Sequence, residues 1–140
     1  MTIMQAYLIY AVLAAFFASL VPIFGKIGLK DVDPTMATTI RAIIMAIFLV
    51  TVTFFVKPKM SGINRYSILF ITLSGVSGAL SWLFYFMAIK NGRVPAVVAI
   101  DKTSVALAIF LSWLVLGSEM NIKTVIGALL IVLGAILVSL

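Results

Sequence analysis

Three residues of this sequence place charge where charge is costly. Arg41, Asp101 and Lys102 each stand well inside a run of apolar residues. A charge at the centre of a membrane helix costs about 2.5–3.5 kcal/mol on insertion scales, so such residues face a partner or a wet cavity. Arg41 lies seven residues in from one end of its run, and Asp101 and Lys102 lie six and seven residues in from the same side. At the rise of an α-helix all three sit about 9–10 Å below one face, in a layer of two cations and one anion. A guanidinium or an ammonium in such a layer binds carboxylate or phosphate. An Arg41–Asp101 pair satisfies both members and leaves Lys102 without a carboxylate. Two readings stay open. In one, Arg41 and Asp101 pin two helices together while Lys102 snorkels to the surface. In the other, the layer lines a solute cavity, with Trp82 and Tyr85, about 10 and 6 Å deep, as its apolar wall. Asp101 is the one acid inside a span and the side-chain candidate for proton coupling, which stays open.

Five apolar segments position these residues: 4–28, 34–56, 66–89, 95–116 and 122–140. Each is near the ~20 residues that an α-helix needs to cross a hydrocarbon core, and too long for a barrel strand. Hydrophobic residues make up 64% of the 140 and charged residues 10%. No core of this size covers that much apolar surface, so the expected class is an all-α membrane protein of five transmembrane helices, with the bilayer as its solvent. The punctuation is helix chemistry. Asp33 before Pro34 is an N-cap with Pro at the first helical position, and Asn121 is a second N-cap. Asn91-Gly92 closes the third helix and Pro95 opens the fourth. The connections are short, so residues 1–140 read as one transmembrane domain. Pro22 is close enough to the charged layer to kink the first helix there. The first Lys or Arg is Lys26, beyond the first apolar run, so no cleaved signal peptide is expected.

The net charge of +6 comes from basic residues that punctuate apolar runs and do not form a stripe, so membrane topology explains them better than nucleic acid does. With no Cys and no His, thiol and histidine chemistry are absent and no metal or cofactor is expected. No nucleophile–base pair is visible, so an enzyme is not expected. The N-terminal face carries Lys57, Lys59, Arg65 and Lys123, and the opposite face carries Lys26, Lys30, Lys90 and Arg93. Four against four gives the positive-inside rule no decision, and insertion in both orientations is one reading of that balance. Ser74, Gly75, Ser77, Gly78 and Ser81 make a small-residue face on the third helix. Gly127 and Gly134, two turns apart with Ala128 and Ala135 beside them, form a helix-association stripe on the fifth. The partner of that stripe is either another helix of the chain or a second copy.

The residues also resemble a known family. Pro22-Ile-Phe-Gly-Lys-Ile-Gly-Leu-Lys30, Asp33-Pro34 leading to Arg41, Trp82-Leu-Phe-Tyr-Phe-Met-Ala-Ile-Lys90, Leu116-Gly-Ser-Glu119, and Gly127 with Gly134 follow one another as in the EamA-type repeat of the drug/metabolite transporter superfamily. The chain is most similar to the five-helix bacterial/archaeal transporter family, and the resemblance covers nearly all of it. It implies half of a ten-helix inverted-repeat architecture, which a second, inverted copy would complete as an antiparallel dual-topology homodimer in a prokaryotic inner membrane. The Gly127/Gly134 stripe is also similar to the dimerising last helix of the small multidrug resistance family. That family's drug- and proton-binding glutamate lies in the first helix, and residues 2–25 contain no acid here, so proton-coupled export of cationic drugs is not implied.

The expected function is therefore a secondary carrier for a small solute, working by alternating access. Arg41, Lys102 and the lack of a spare acid favour an anionic or zwitterionic solute. Arg41, Trp82, Tyr85, Asp101 and Lys102 are the candidate substrate residues, and Gly127, Ala128, Gly134 and Ala135 the candidate dimer interface. Two alternatives remain: a subunit of a hetero-oligomeric lipid-linked-sugar flippase, as some small relatives are, and a non-transporting scaffold.

Overall fold

The computed structural model describes residues 3–59 and 61–140, with side chains from Ala6 onward. Every regular element among the described residues is helix: α1 (Ile3–Gly28), α2 (Pro34–Val56), α3 (Arg65–Asn91), α4 (Val94–Lys102), α5 (Ser104–Leu116) and α6 (Ile122–Ser139). α4 and α5 lie in one span, Val94–Leu116, so the described residues hold five helical stretches long and apolar enough to cross a membrane. Apolar side chains cover their outer surfaces, and among the described residues few are enclosed by the protein itself: Pro22, Leu29, Phe86, Ile89 and Ala135. Such a surface is stable only where lipid covers it.

The caps form where the sequence places them. The Asp33 carboxylate accepts the N–H groups of Thr35 (2.8 Å) and Met36 (3.2 Å), with Pro34 opening α2. Those two backbone donors, Met36 foremost, hold the Asp33 carboxyl below the usual carboxylate value, so the cap keeps its charge through the neutral range. Asn121 accepts the Thr124 N–H at 3.0 Å. Asn64, which the sequence reading passed over, caps α3 by accepting the Ser67 N–H at 2.8 Å. Gly117 closes α5 at φ 64°, a left-handed conformation that glycine adopts without a Cβ penalty. Lys57 takes the same role after α2 at φ 49° despite its side chain. α1 continues as one helix through Pro22.

The chain divides into two compact units, Met1–Lys26 with Asn91–Leu140, and Ile27–Lys90. In the first, α6 packs along α4 and less extensively along α5. The Arg93 guanidinium donates to the Ser139 carbonyl at 2.8 Å, tying the start of α4 to the end of α6 and making the two antiparallel. Lys26 donates to the Gly92 carbonyl at 3.2 Å. In the second unit, Lys90 donates to the Val32 carbonyl at 2.6 Å. The Ser139 and Gly92 carbonyls lie at or just beyond helix C-termini, where the partial negative charge of the helix end collects, whereas Val32 lies in the connection before α2. In α2, four threonine hydroxyls bond back into the same helix: Thr38 to Pro34, Thr39 to Thr35, Thr51 to Ile47 and Thr53 to Leu49. With its hydroxyl satisfied in this way, a threonine can present its methyl group to lipid.

The fourth span departs from the sequence reading, which drew it as a single helix over 95–116. It breaks at Thr103 (φ −64°, ψ −20°). The Thr103 N–H donates to the Ile100 carbonyl and the Ala106 N–H to the Thr103 carbonyl, each at 3.0 Å. Both bonds have the three-residue spacing of a tighter turn, and a tightened turn inside a helix marks a hinge or a strained sequence. The break falls directly after Asp101 and Lys102.

Candidate functional site

The Ile27–Lys90 unit brings together Arg41, Trp82 and Tyr85. The carbon of the Arg41 guanidinium lies 3.5 Å from the centroid of the Trp82 ring and 5.7 Å from that of Phe86. Trp82 in turn meets Tyr85 edge-on, with centroids 5.4 Å apart at 81°, and Phe86 edge-on at 6.0 Å and 87°. The partners of Arg41 in this unit are rings, not carboxylates. A cation over an indole gains about 0.5–1 kcal/mol when exposed and about 2 or more when water is excluded. A ring offers a cation no hydrogen-bond acceptor of the carboxylate kind, and a guanidinium has five N–H donors with which to bind a carboxylate or phosphate in a bidentate fork. Arg41 is half-buried, while Phe86 is buried beneath the cluster.

Phe86 is the site residue that sequence reasoning missed. It follows Trp82 by four positions, which puts the two on one helix face, and that spacing was the signal available.

In the other unit Asp101 and Lys102 are brought together. The Lys102 ammonium donates to the Asp101 carboxylate at 3.0 Å. This corrects one expectation for the charge layer: Lys102 is not left without a carboxylate, since its ammonium is paired with Asp101. On a straight helix, consecutive side chains point about 100° apart and do not face one another. Here the pair forms where α4 stops.

A groove of about 570 Å³ runs between α2 and α3 inside the Ile27–Lys90 unit. Its walls include Thr38, Ala42 and Ala46 on α2 and Val76, Ala79 and Leu83 on α3. They are almost wholly apolar, and the Thr38 and Thr39 hydroxyls are engaged by their own helix. Arg41, Trp82 and Tyr85 are not among its lining residues.

The α6 stripe is not uniform. Ala135 is buried within the chain, and Gly134 is exposed. A Cβ built on Gly127 or on Gly134 meets no atom within 4 Å. Ala128 is half-buried.

The geometry is that of a multi-pass membrane protein with cations deep in two of its spans, one held by rings and one by a neighbouring carboxylate. Comparison with known proteins agrees with it. The chain is 31% identical over 137 residues, 96% of its own length and 97% of the relative's, to a Sinorhizobium sp protein described as an uncharacterized transporter in the cobO 3′ region. No solved structure matches it. The match to the EamA-like transporter family runs over residues 5–140 and so takes in all five spans. Residues 34–41 and 82–90, which hold the ring-bound arginine, fall within that match, and the chain belongs to the EamA-like transporter family.

Proposed function

We propose that this chain is a secondary carrier, not an enzyme, that moves a small anionic or zwitterionic solute across a prokaryotic inner membrane. In this reading residues 1–140 act as one transport domain. Two copies in opposite orientation form an antiparallel homodimer that works by alternating access. The observation that carries the reading is Arg41: a cation deep in a span whose guanidinium carbon lies 3.5 Å from the centroid of the Trp82 ring. A purely structural cation in lipid is expected to be matched by a carboxylate. One held by rings keeps its charge available to an incoming oxyanion, while Trp82 and Tyr85 offer apolar and aromatic contact to the rest of the solute.

The test is uptake into sealed proteoliposomes from a panel of amino acids, nucleotides and organic cations. Uptake of an anionic or zwitterionic member is the expected result. Arg41→Met removes a charge that is costly in lipid, so its folded yield should hold. Binding of the transported solute should weaken about tenfold to a hundredfold, the value of a charge-assisted hydrogen bond. Arg41→Lys should lose most of the same affinity, because an ammonium neither lies flat on indole nor forks onto a carboxylate. Uptake of organic cations alone would overturn the solute class. No uptake of any probe by well-folded dimer would favour a scaffold.

Topology has its own test. C-terminal reporters should be found on both sides of the membrane, because the two faces carry four basic residues each. Two lysines added between Lys57 and Arg65 should turn that face almost wholly inward. A wild-type chain already fixed in one orientation would sink the dual-topology dimer.

A further inference from the structure

The ion pair at the break in the fourth span has no role in the reading above. Asp101 and Lys102 are chain neighbours, joined at 3.0 Å, at the point where α4 ends and α5 has yet to begin. The pair is not sealed inside the chain: the Lys102 side chain is 57% exposed and that of Asp101 32%. An ion pair that open, at that depth in a span, needs water or another ligand beside it. The flanking helices also differ. α4 is tied to α6 by packing and by the Arg93–Ser139 bond, whereas α5 packs less extensively on α6.

We propose that Lys102 is an anion-binding residue gated by Asp101, and that one proton and one monoanion occupy this site together. With Asp101 ionised, its carboxylate fills the position on the Lys102 ammonium and the site is closed to anions. When Asp101 takes up a proton it becomes a neutral carboxylic acid, and the ammonium is left with a single positive charge and no counter-ion. A carboxylate or other small oxyanion then takes the place that Asp101 held. The charges balance: −1 and +1 before, and 0, +1 and −1 after, so the loaded site has the same net charge as the empty one. No charge is added to the span when proton and anion enter together, and each favours the other's entry. The turn at Thr103 places the Asp101–Lys102 contact at the end of α4, so that it can open without breaking a helix interior.

The other ionisable groups of this unit do not offer Lys102 a second carboxylate in the span. α5 carries no charged residue, and the one charged residue of α6 is Lys123, in its first turn, at the far end from Ser139. Glu119 lies in the connection before α6. Lys26 and Arg93 donate to the carbonyls of Gly92 and Ser139. Tyr7 and Tyr10 lie in the N-terminal part of α1.

The proposal rests on the carrier reading only for the claim that the anion crosses the membrane, and its test needs no transport. The probe is methanesulfonate, a monoanion of a strong acid that keeps its charge at every pH used. It is bound to the purified full-length protein in lipid nanodiscs and followed by the side-chain carboxyl signal of ¹³C-labelled aspartate. Three aspartates are present, Asp31, Asp33 and Asp101, and one of them is in a span, which makes the assignment direct. Methanesulfonate affinity should rise at least tenfold as Asp101 takes up its proton, and added methanesulfonate should move that titration to higher pH. Asp101→Asn should bind the probe with the acid-state affinity at every pH, and the double variant Asp101→Asn with Lys102→Gln, which leaves no lone charge, should bind it at none. Should Asp101→Asn fold poorly, Asp101→Glu, which retains the gate, should show the same linkage as wild type. Binding that ignores pH, or an Asp101 titration that ignores the probe, would overturn the proposal. Proton-linked binding without uptake of any solute would leave the gate standing and remove the carrier.

Discussion

Lys102→Met is expected to lower the yield of folded, inserted protein by about tenfold at neutral pH, less than the roughly 2.5–3.5 kcal/mol assigned to a lone charge at a helix centre because the pair is partly exposed. The substitution leaves the Asp101 carboxylate without the ammonium that lies 3.0 Å from it. Acid should relieve the defect, since a protonated Asp101 carries no charge to solvate. The double variant Asp101→Asn with Lys102→Met should recover most of the yield at every pH, because it removes both charges and leaves groups of similar size. The size of that recovery, in a double-mutant cycle read by detergent-resistant folded fraction, measures the pair directly. An undiminished yield for Lys102→Met at neutral pH would mean that water or lipid headgroups already solvate Asp101, and the pair would then have no structural weight. The loss should remain when transport is not assayed at all, which separates it from any effect on a solute.

The sequence read alone points the other way for this residue. With Asp101 assigned to Arg41, Lys102 is a spare cation whose removal should help folding. The depths of the charged residues follow from the spacing of the apolar runs, but partner choice depends on where each side chain turns, and that depends on the break at Thr103. The break has no local signature: neither glycine nor proline stands near Thr103, and the run from Pro95 to Leu116 reads as an unbroken helix. Arg41 shows the complementary limit. Its depth is legible, and Trp82 and Tyr85 are legible as its neighbours in depth, yet the contact with Trp82 and the packing of Phe86 against that ring depend on how α2 and α3 turn toward each other. The span ends were easier, because the residues that set them act locally. Asp33 and Asn121 bond within a few positions of themselves, so residue type and spacing suffice. The groove between α2 and α3 lies between these cases. Positions 35, 38, 39, 42, 43 and 46 form a stripe of helical period, but threonine and isoleucine in it hid the small-residue pattern that glycine makes plain on α6.

The stripe on α6 leads to a prediction in which the chain's own fold and its assembly separate. Gly127→Leu with Gly134→Leu should leave insertion and the folded fraction little changed, because a Cβ added at either glycine meets no atom within 4 Å. If a second copy packs there, the same pair of leucines holds the two helices apart, and the dimer should weaken by at least tenfold, about 1.4 kcal/mol. Ala135→Leu should behave in the opposite way. Ala135 is buried within the chain, on a helix packed along α4. Extra methylenes in an occupied space typically cost about 1–3 kcal/mol, so here the folded fraction should fall before any change in assembly is seen. Subunit counting by single-molecule photobleaching in bilayers reads the dimer, and resistance to denaturing detergent reads the fold. Unchanged dimer content in the double glycine variant would remove Gly127 and Gly134 from the interface. The second copy would then have to meet another face of the chain, and the open groove along α2 and α3, in the other unit, would be the next surface to test.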